Sequence, residues 1–201
     1  MVSGLGIDGN WIGVLNTDPR AGALYERHYS ARPSVPTRIR LKHGISGPGE
    51  LMTLITVAGD ALFVWQNNLV DRYDHQDGVN CSVFRNEGSV LSSELILEAE
   101  GLAWQRWPGI RLFTYVWDSK VESVNPGYCF KVAGWKTCGR NADGRLTILE
   151  KLPECPHRNA DIYQEVGPCR RCRSSKSMTW ESPSRRTSPR KGGGDDNSRN
   201  D

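Results

Sequence analysis

An α/β fold, with helices packed on the faces of one sheet, is predicted by three features of the sequence. β-Rich runs alternate with stretches of helical period, glycine-containing turns join two pairs of those runs, and the periodicity stops after Lys151. Asp18-Pro19-Arg20 opens a helix through Arg27, with Asp18 as N-cap and Pro19 at the first helical position; it ends at His28-Tyr29-Ser30. From Ala31 to Glu50, Pro33, Pro36, Gly44, Gly47, Pro48 and Gly49 interrupt regular structure and leave a surface excursion carrying Arg32, Arg38, Arg40 and Lys42.

Leu51 to Val57 and Ala61 to Gln66 form a hairpin through Ala58-Gly59-Asp60, and a polar loop leads to a third strand at Val79 to Arg85. Ser92 or Ser93 caps the next helix, whose Leu95, Ile96, Ala99, Leu102 and Ala103 recur at helical spacing until Trp107-Pro108-Gly109. Arg111 to Trp117 reads as a buried strand with Asp118 at its carboxyl end. A short helix follows from about Pro126 to Ala133, and Trp135 to Cys138 and Arg145 to Glu150 make a last hairpin through Asn141-Ala-Asp-Gly144.

This divides the 201 residues into a catalytic-sized domain over 1–152, a small segment over 153–175 and a polar tail over 176–201 with the composition of a disordered chain. The net charge of +3 conceals a basic stretch: Arg170, Arg171, Arg173, Lys176, Arg185, Arg186, Arg190 and Lys191 stand against Glu181 alone. Such a segment reads as an arm for phosphates or as a solubilising tail. No run reaches the roughly 18 apolar residues of a membrane span, and Met1 to Asn10 lacks a signal-peptide pattern, so a cytoplasmic protein is expected. Cys81, Cys129 and Cys138 sit inside apolar patterns and are expected as small buried side chains. Cys155-Pro-His157 followed by Cys169-Arg-Arg-Cys172 has the ligand types of a closed four-coordinate metal site, zinc or iron, with reduced thiols in a linker as the alternative.

Arg85-Asn86-Glu87-Gly88-Ser89-Val90 lies between a strand and a helix, where backbone N–H groups and the helix dipole favour an anion. It resembles the pyrophosphate loop of the GNAT acyltransferase superfamily, with Val90 where that family has Gly or Ala. Asn125-Pro-Gly-Tyr128-Cys-Phe-Lys-Val-Ala-Gly134-Trp135 resembles the late helix of the same superfamily. Within it, Cys81 to Gly88, Leu91-Ser-Ser-Glu-Leu95, Glu98-Ala-Glu100, Trp107-Pro-Gly109, Gly127-Tyr-Cys-Phe130 before Ala133-Gly-Trp135, and His28-Tyr29-Ser30 are similar to the Mom-type DNA-modification proteins of Mu-like phages. The likeness spans about residues 20 to 150.

The resemblance implies a GNAT-like mixed central sheet with flanking helices. It also implies an enzyme that places a glycinamide-derived carbamoylmethyl group on N6 of adenine in double-stranded DNA, protecting it from restriction in the host cytoplasm. The donor would be acetyl-coenzyme A or another activated glycine or acyl donor. The implied catalytic residues are His28, Tyr29, Ser93, Asp118 and Tyr128. Arg85, Asn86, Gly88, Ser89 and Ser92 would hold the donor, and Arg32, Arg38, Arg40 and Lys42 would contact DNA phosphates. His28 and Asp118 compete as the base, with a plain helix C-cap as the other reading of His28. The residues leave two rival functions open: a coenzyme-A-dependent N-acetyltransferase acting on another amine, and a non-catalytic DNA-binding protein.

Overall fold

The computed structural model describes residues 9–31, 44–68, 74, 76–121 and 123–153. The loop cations Arg32, Arg38, Arg40 and Lys42, the quartet Cys155, His157, Cys169 and Cys172, and the basic tail lie outside them. No described helix is long and apolar enough to cross a membrane.

The chain begins with a strand that the periodicity did not reveal, β1 (Trp11–Val14). Four residues are too few for an alternation to register, and tertiary contacts decide the matter. Trp11 is fully buried. Its Nε1 donates to the Leu95 carbonyl at 2.9 Å, while the Asn10 backbone N–H and Nδ2 both donate to the Glu98 carboxylate, at 2.9 and 2.7 Å. Helix α1 (Pro19–Glu26) starts as expected, with the Asp18 carboxylate accepting the Arg20 N–H. The Arg20 side chain on that carboxylate holds its pKa below the usual value.

Strands β2 (Glu50–Thr56) and β3 (Ala61–Asn67) form the expected hairpin. Thr56 organises its turn: Oγ1 accepts the N–H of Asp60 and Ala61 at 3.0 and 2.9 Å and donates to Asp60 Oδ1 at 2.6 Å. β4 (Val79–Asn86) then pairs antiparallel with β3. Val64 opposes Val83 but Trp65 opposes Cys81, so Ser82 is an extra residue and makes a bulge.

Helix α2 (Ser92–Arg106) crosses to β5 (Leu112–Trp117), which lies parallel to β4. Neither serine caps α2 by its side chain; Leu91 occupies the cap position, and Ser92 Oγ instead lies 3.1 Å from Asn86 Nδ2. After α3 (Tyr128–Val132), β6 (Lys136–Arg140) and β7 (Leu146–Lys151) form the last hairpin, with β7 docked on β5 and β6 at the edge.

The result is a mixed seven-stranded sheet in the order β1-β2-β3-β4-β5-β7-β6. α2 and α3 cover one face over Trp11, Phe63, Trp65, Phe130 and Trp135, while α1 covers the other over Ile55, Leu62, Val64 and Val83. This agrees with the α/β reading. Cys138, expected to be buried, is exposed, because every residue of β6 faces solvent at the sheet edge.

Candidate active site

The parallel strands β4 and β5 stay paired for only three residues, Val79↔Leu112, Asn80↔Phe113 and Cys81↔Thr114. They part where the Ser82 bulge bends β4, and a bulge bends and twists its own strand. Between the diverging ends lies a cavity of about 210 Å³. Its walls come from β4 (Cys81, Ser82, Val83, Phe84, Asn86), β5 (Thr114, Tyr115, Val116), the segment before and within α3 (Val121, Gly127, Cys129, Phe130), and His28 and Tyr29 just after α1. Gly127 has φ 73°, and a Cβ there would lie 2.7 Å from the Leu149 side chain, so this glycine is what lets the chain pass close to the sheet.

His28 and Tyr29 hold adjacent positions at the split. His28 is buried, and its Nδ1 accepts the Ser30 N–H at 3.2 Å and lies 2.7 Å from Ser30 Oγ. That pairing assigns the proton of the neutral ring to Nε2. Burial, reinforced by the Arg85 charge and opposed by the Phe84 backbone, pushes the His28 pKa down to about 4. The Tyr29 ring packs on the imidazole with centroids 4.2 Å apart. Although one side of Tyr29 is open to solvent, its hydroxyl end is buried. Burial raises the phenol's pKa against the pull of the Trp117 backbone, and Cys81, Cys129 and Asp118 act in the same upward direction. Tyr29 is therefore a neutral phenol and His28 a neutral imidazole at physiological pH. The ring nitrogen that would act as a base is already engaged by Ser30.

The His28 shift has a pH signature. A group whose folded pKa lies below its unfolded value contributes stability above the unfolded pKa and loses it as pH falls through the folded one. Lowering the pH from 6.5 to about 4 is expected to cost on the order of 3 kcal/mol through this residue. Denaturant titrations of the wild type and of His28→Gln at each pH check this; equal slopes in both proteins would refute it.

The loop read as a phosphate cradle is spent inside the protein. Arg85 Nε donates to Glu87 at 2.5 Å and its Nη1 to the Arg27 carbonyl at 2.5 Å, while Glu87 also binds Arg27 at 2.7 Å. These two cations hold the Glu87 carboxyl down at about 2. The Gly88 N–H goes to Asn86 Oδ1 at 2.9 Å and the Glu87 N–H to the Asp60 carbonyl at 2.8 Å. Asn86 Nδ2 spans the loop to the Val90 carbonyl at 2.8 Å. Ser89 is exposed and makes no cavity wall. A pyrophosphate does not fit this loop: two amides are used, Arg85 is held by Glu87, and the Asp60 carboxylate packs on Gly88. The expected donor-holding roles of Arg85 and Gly88 are corrected accordingly.

A Cβ on Gly88 would lie 2.3 Å from Asp60 Oδ2, so the glycine serves the approach of that carboxylate. Gly88→Ala is expected to destabilise by about 1–3 kcal/mol. Adding Asp60→Ala is expected to recover most of the loss in thermal unfolding, a coupling that a glycine reserved for phosphate would not show.

Of the remaining expected residues, Asn86 lines the cavity but works as the organiser of the loop. Asp118 stands beyond the wall, accepting Thr147 Oγ1 at 2.8 Å and paired with Arg140 at 3.0 Å. Tyr128 is 60% exposed and, like Ser92 and Ser93, is absent from the walls. The phenol at the centre is therefore that of Tyr29. Sequence reasoning passed over Thr114, which donates to the Cys81 carbonyl at 2.9 Å, and the pocket roles of Cys81 and Cys129, whose thiols are both raised by burial. A cavity formed by strand divergence leaves no local pattern in the chain. Among the described residues no three His, Cys, Asp or Glu side chains converge as a metal site. Comparison with family models, curated proteins and solved structures gives no match.

Proposed function

We propose that this chain is a GNAT-like group transferase of the Mom type. It places a carbamoylmethyl group on N6 of adenine in double-stranded DNA and so shields that DNA from restriction enzymes. The motif likeness over residues 20 to 150 supports the reading. The single observation that carries it is the small cavity at the parting of β4 and β5, with the Tyr29 phenol inside and the His28 ring beneath. A cavity of about 150 Å³ is known to admit benzene, so 210 Å³ suits one flat heteroaromatic group and excludes a duplex. The target adenine must leave the stack to enter.

Within the cavity, the exposed side of the Tyr29 ring offers a stacking surface for the base. The N6 lone pair forms the new N–C bond, the donor's leaving group departs with its bonding pair, and one N6 proton is lost. The phenol is the proton donor for the leaving group, and His28, held neutral by Ser30 and burial, positions it. The N6 proton passes to solvent, since Asp118 stands beyond the wall engaged by Thr147 and Arg140. An exocyclic adenine nitrogen is a poor nucleophile, so orientation and charge stabilisation carry most of the rate.

The test is expression in bacteria followed by mass spectrometry of digested DNA. A deoxyadenosine heavier by one carbamoylmethyl group is expected. Unmodified DNA together with acetyl-coenzyme A turnover on amines would replace this reading with that of an ordinary N-acetyltransferase.

A further inference from the structure

The turn that follows α1 is fastened to the far end of β4. Arg85 Nη1 donates to the Arg27 carbonyl at 2.5 Å, and the Arg27 guanidinium reaches Glu87 at 2.7 Å. The chain then folds back, with the Ala31 N–H on the His28 carbonyl at 2.9 Å. Inside this turn Ser30 meets His28 twice: its N–H donates to Nδ1 at 3.2 Å, and its Oγ lies 2.7 Å from the same nitrogen. A hydroxyl can act as donor or acceptor, but a backbone N–H can only donate. A proton on Nδ1 would therefore point at the Ser30 N–H and break that contact. The positive charge of Arg85 and the burial of the ring also oppose the charged form, and only the Phe84 backbone favours it. His28 is thus held as a neutral plate, and the Tyr29 ring rests on it with centroids 4.2 Å apart and planes 34° from parallel. Ser30 is exposed and is not one of the cavity walls, so whatever it does for the site it does through His28.

We infer that Ser30 is a positioning residue for the transfer: by taking Nδ1 of His28 with both its hydroxyl and its N–H, it fixes one tautomer and one ring orientation, and so seats Tyr29 at the cavity. This rests on the reading of Tyr29 as the proton donor. A phenol protonates a leaving group only when its hydroxyl stays within hydrogen-bond reach of it. A ring packed on a neighbour that rotates or exchanges tautomers loses that aim, and a misplacement of about 1 Å costs as much as about 10²-fold in rate. The same contacts withdraw His28 from service as a base, because its free lone pair is the one Ser30 occupies.

The test joins two readouts on the full chain. Ring nitrogens are observed at neutral pH by long-range proton–nitrogen correlation NMR; the chain has four histidines, and His28→Gln identifies the signal. Modified deoxyadenosine is measured by mass spectrometry in DNA from cells expressing each protein at equal level. Wild type is expected to show His28 purely in the Nε2–H form. Ser30→Ala is expected to keep the wild-type melting temperature, since the residue is exposed. Its His28 nitrogens should move toward the average of the two tautomers, and modification should fall about tenfold. Ser30→Thr, which keeps the hydroxyl, should restore both. An unchanged His28 tautomer in Ser30→Ala, or a changed tautomer with full modification, overturns the positioning role and leaves the transferase reading standing. A loss of modification that follows a loss of melting temperature and is not restored by Ser30→Thr overturns it as well, by making Ser30 merely structural. Absence of modified deoxyadenosine from wild type is the separate failure of the transferase reading, and it removes the role in transfer whatever the tautomer shows.

Discussion

Tyr29→Phe is expected to lower the fraction of modified deoxyadenosine by about 10²–10⁴, the usual contribution of a positioned proton donor, with little change in thermal stability. The substitution keeps the ring that packs on His28 at 4.2 Å and removes only the buried hydroxyl. Tyr128→Phe supplies the contrast. The family likeness points to Tyr128 as the acid, but its side chain is 60% exposed and outside the cavity walls. Its loss is expected to change modification by no more than about threefold, because its ring is not part of the cavity wall that holds the reacting groups. Nucleoside mass spectrometry on DNA from cells expressing each variant at equal level checks both. A large loss with Tyr128→Phe and a small one with Tyr29→Phe would reverse the assignment.

The second large effect lies in the core. Glu100 is only 2% exposed; its carboxylate accepts Trp135 Nε1 and Lys151 Nζ, each at 2.5 Å, and Lys151 also donates to the Ala133 carbonyl at 2.6 Å. This network joins α2, the end of α3 and the last residue of β7. Lys151→Met is expected to destabilise by about 3–5 kcal/mol, the cost of leaving one member of a buried pair uncompensated. Burial holds the Glu100 pKa above its usual value, against the opposing pull of Lys151 and Trp135. A carboxyl raised in the folded state contributes stability below its unfolded pKa and loses it as pH rises through the folded one. Removing the lysine raises that pKa further, so Lys151→Met should weaken more steeply than wild type as pH rises above the usual carboxylate range. Glu100→Gln in the same chain keeps an acceptor for Trp135 and should restore much of the loss and flatten the pH dependence. Melting temperatures of the three proteins across pH decide it: a Lys151→Met deficit that is independent of pH and unrelieved by Glu100→Gln would show that the lysine acts by packing alone.

Much of the scaffold was legible because its signals are local. The Ala58-Gly59-Asp60 turn, the helical spacing of Leu95, Ile96, Ala99 and Ala103, and the dense β run from Leu112 all act within a few residues of themselves. β1 was not, since four residues become a strand only when Trp11 and Asn10 find Leu95 and Glu98 some 84 and 88 positions away. The site divides in the same way. His28 and Tyr29 are singled out by their motif, and the structure puts both on the cavity wall. Arg85 and Gly88 were misread because Arg27, 58 positions from Arg85, and Asp60 decide what those residues do. The exposure of Tyr128 was not legible, because a helix of 5 residues is too short for its periodicity to say which way a side chain points.

The sheet's brief parallel seam also bears on how the molecule opens. β1 to β4 form one antiparallel unit, and β5, β7 and β6 form a second. The two units are joined in the sheet by three residue pairs, with the Val79 N–H on the Arg111 carbonyl at one end and Thr114 on the Cys81 carbonyl at the other. Such a boundary is where cooperative unfolding units separate. Backbone amides along it should exchange with solvent through sub-global openings of lower free energy than those within either unit, so the cavity lies along the line where this sheet most readily comes apart.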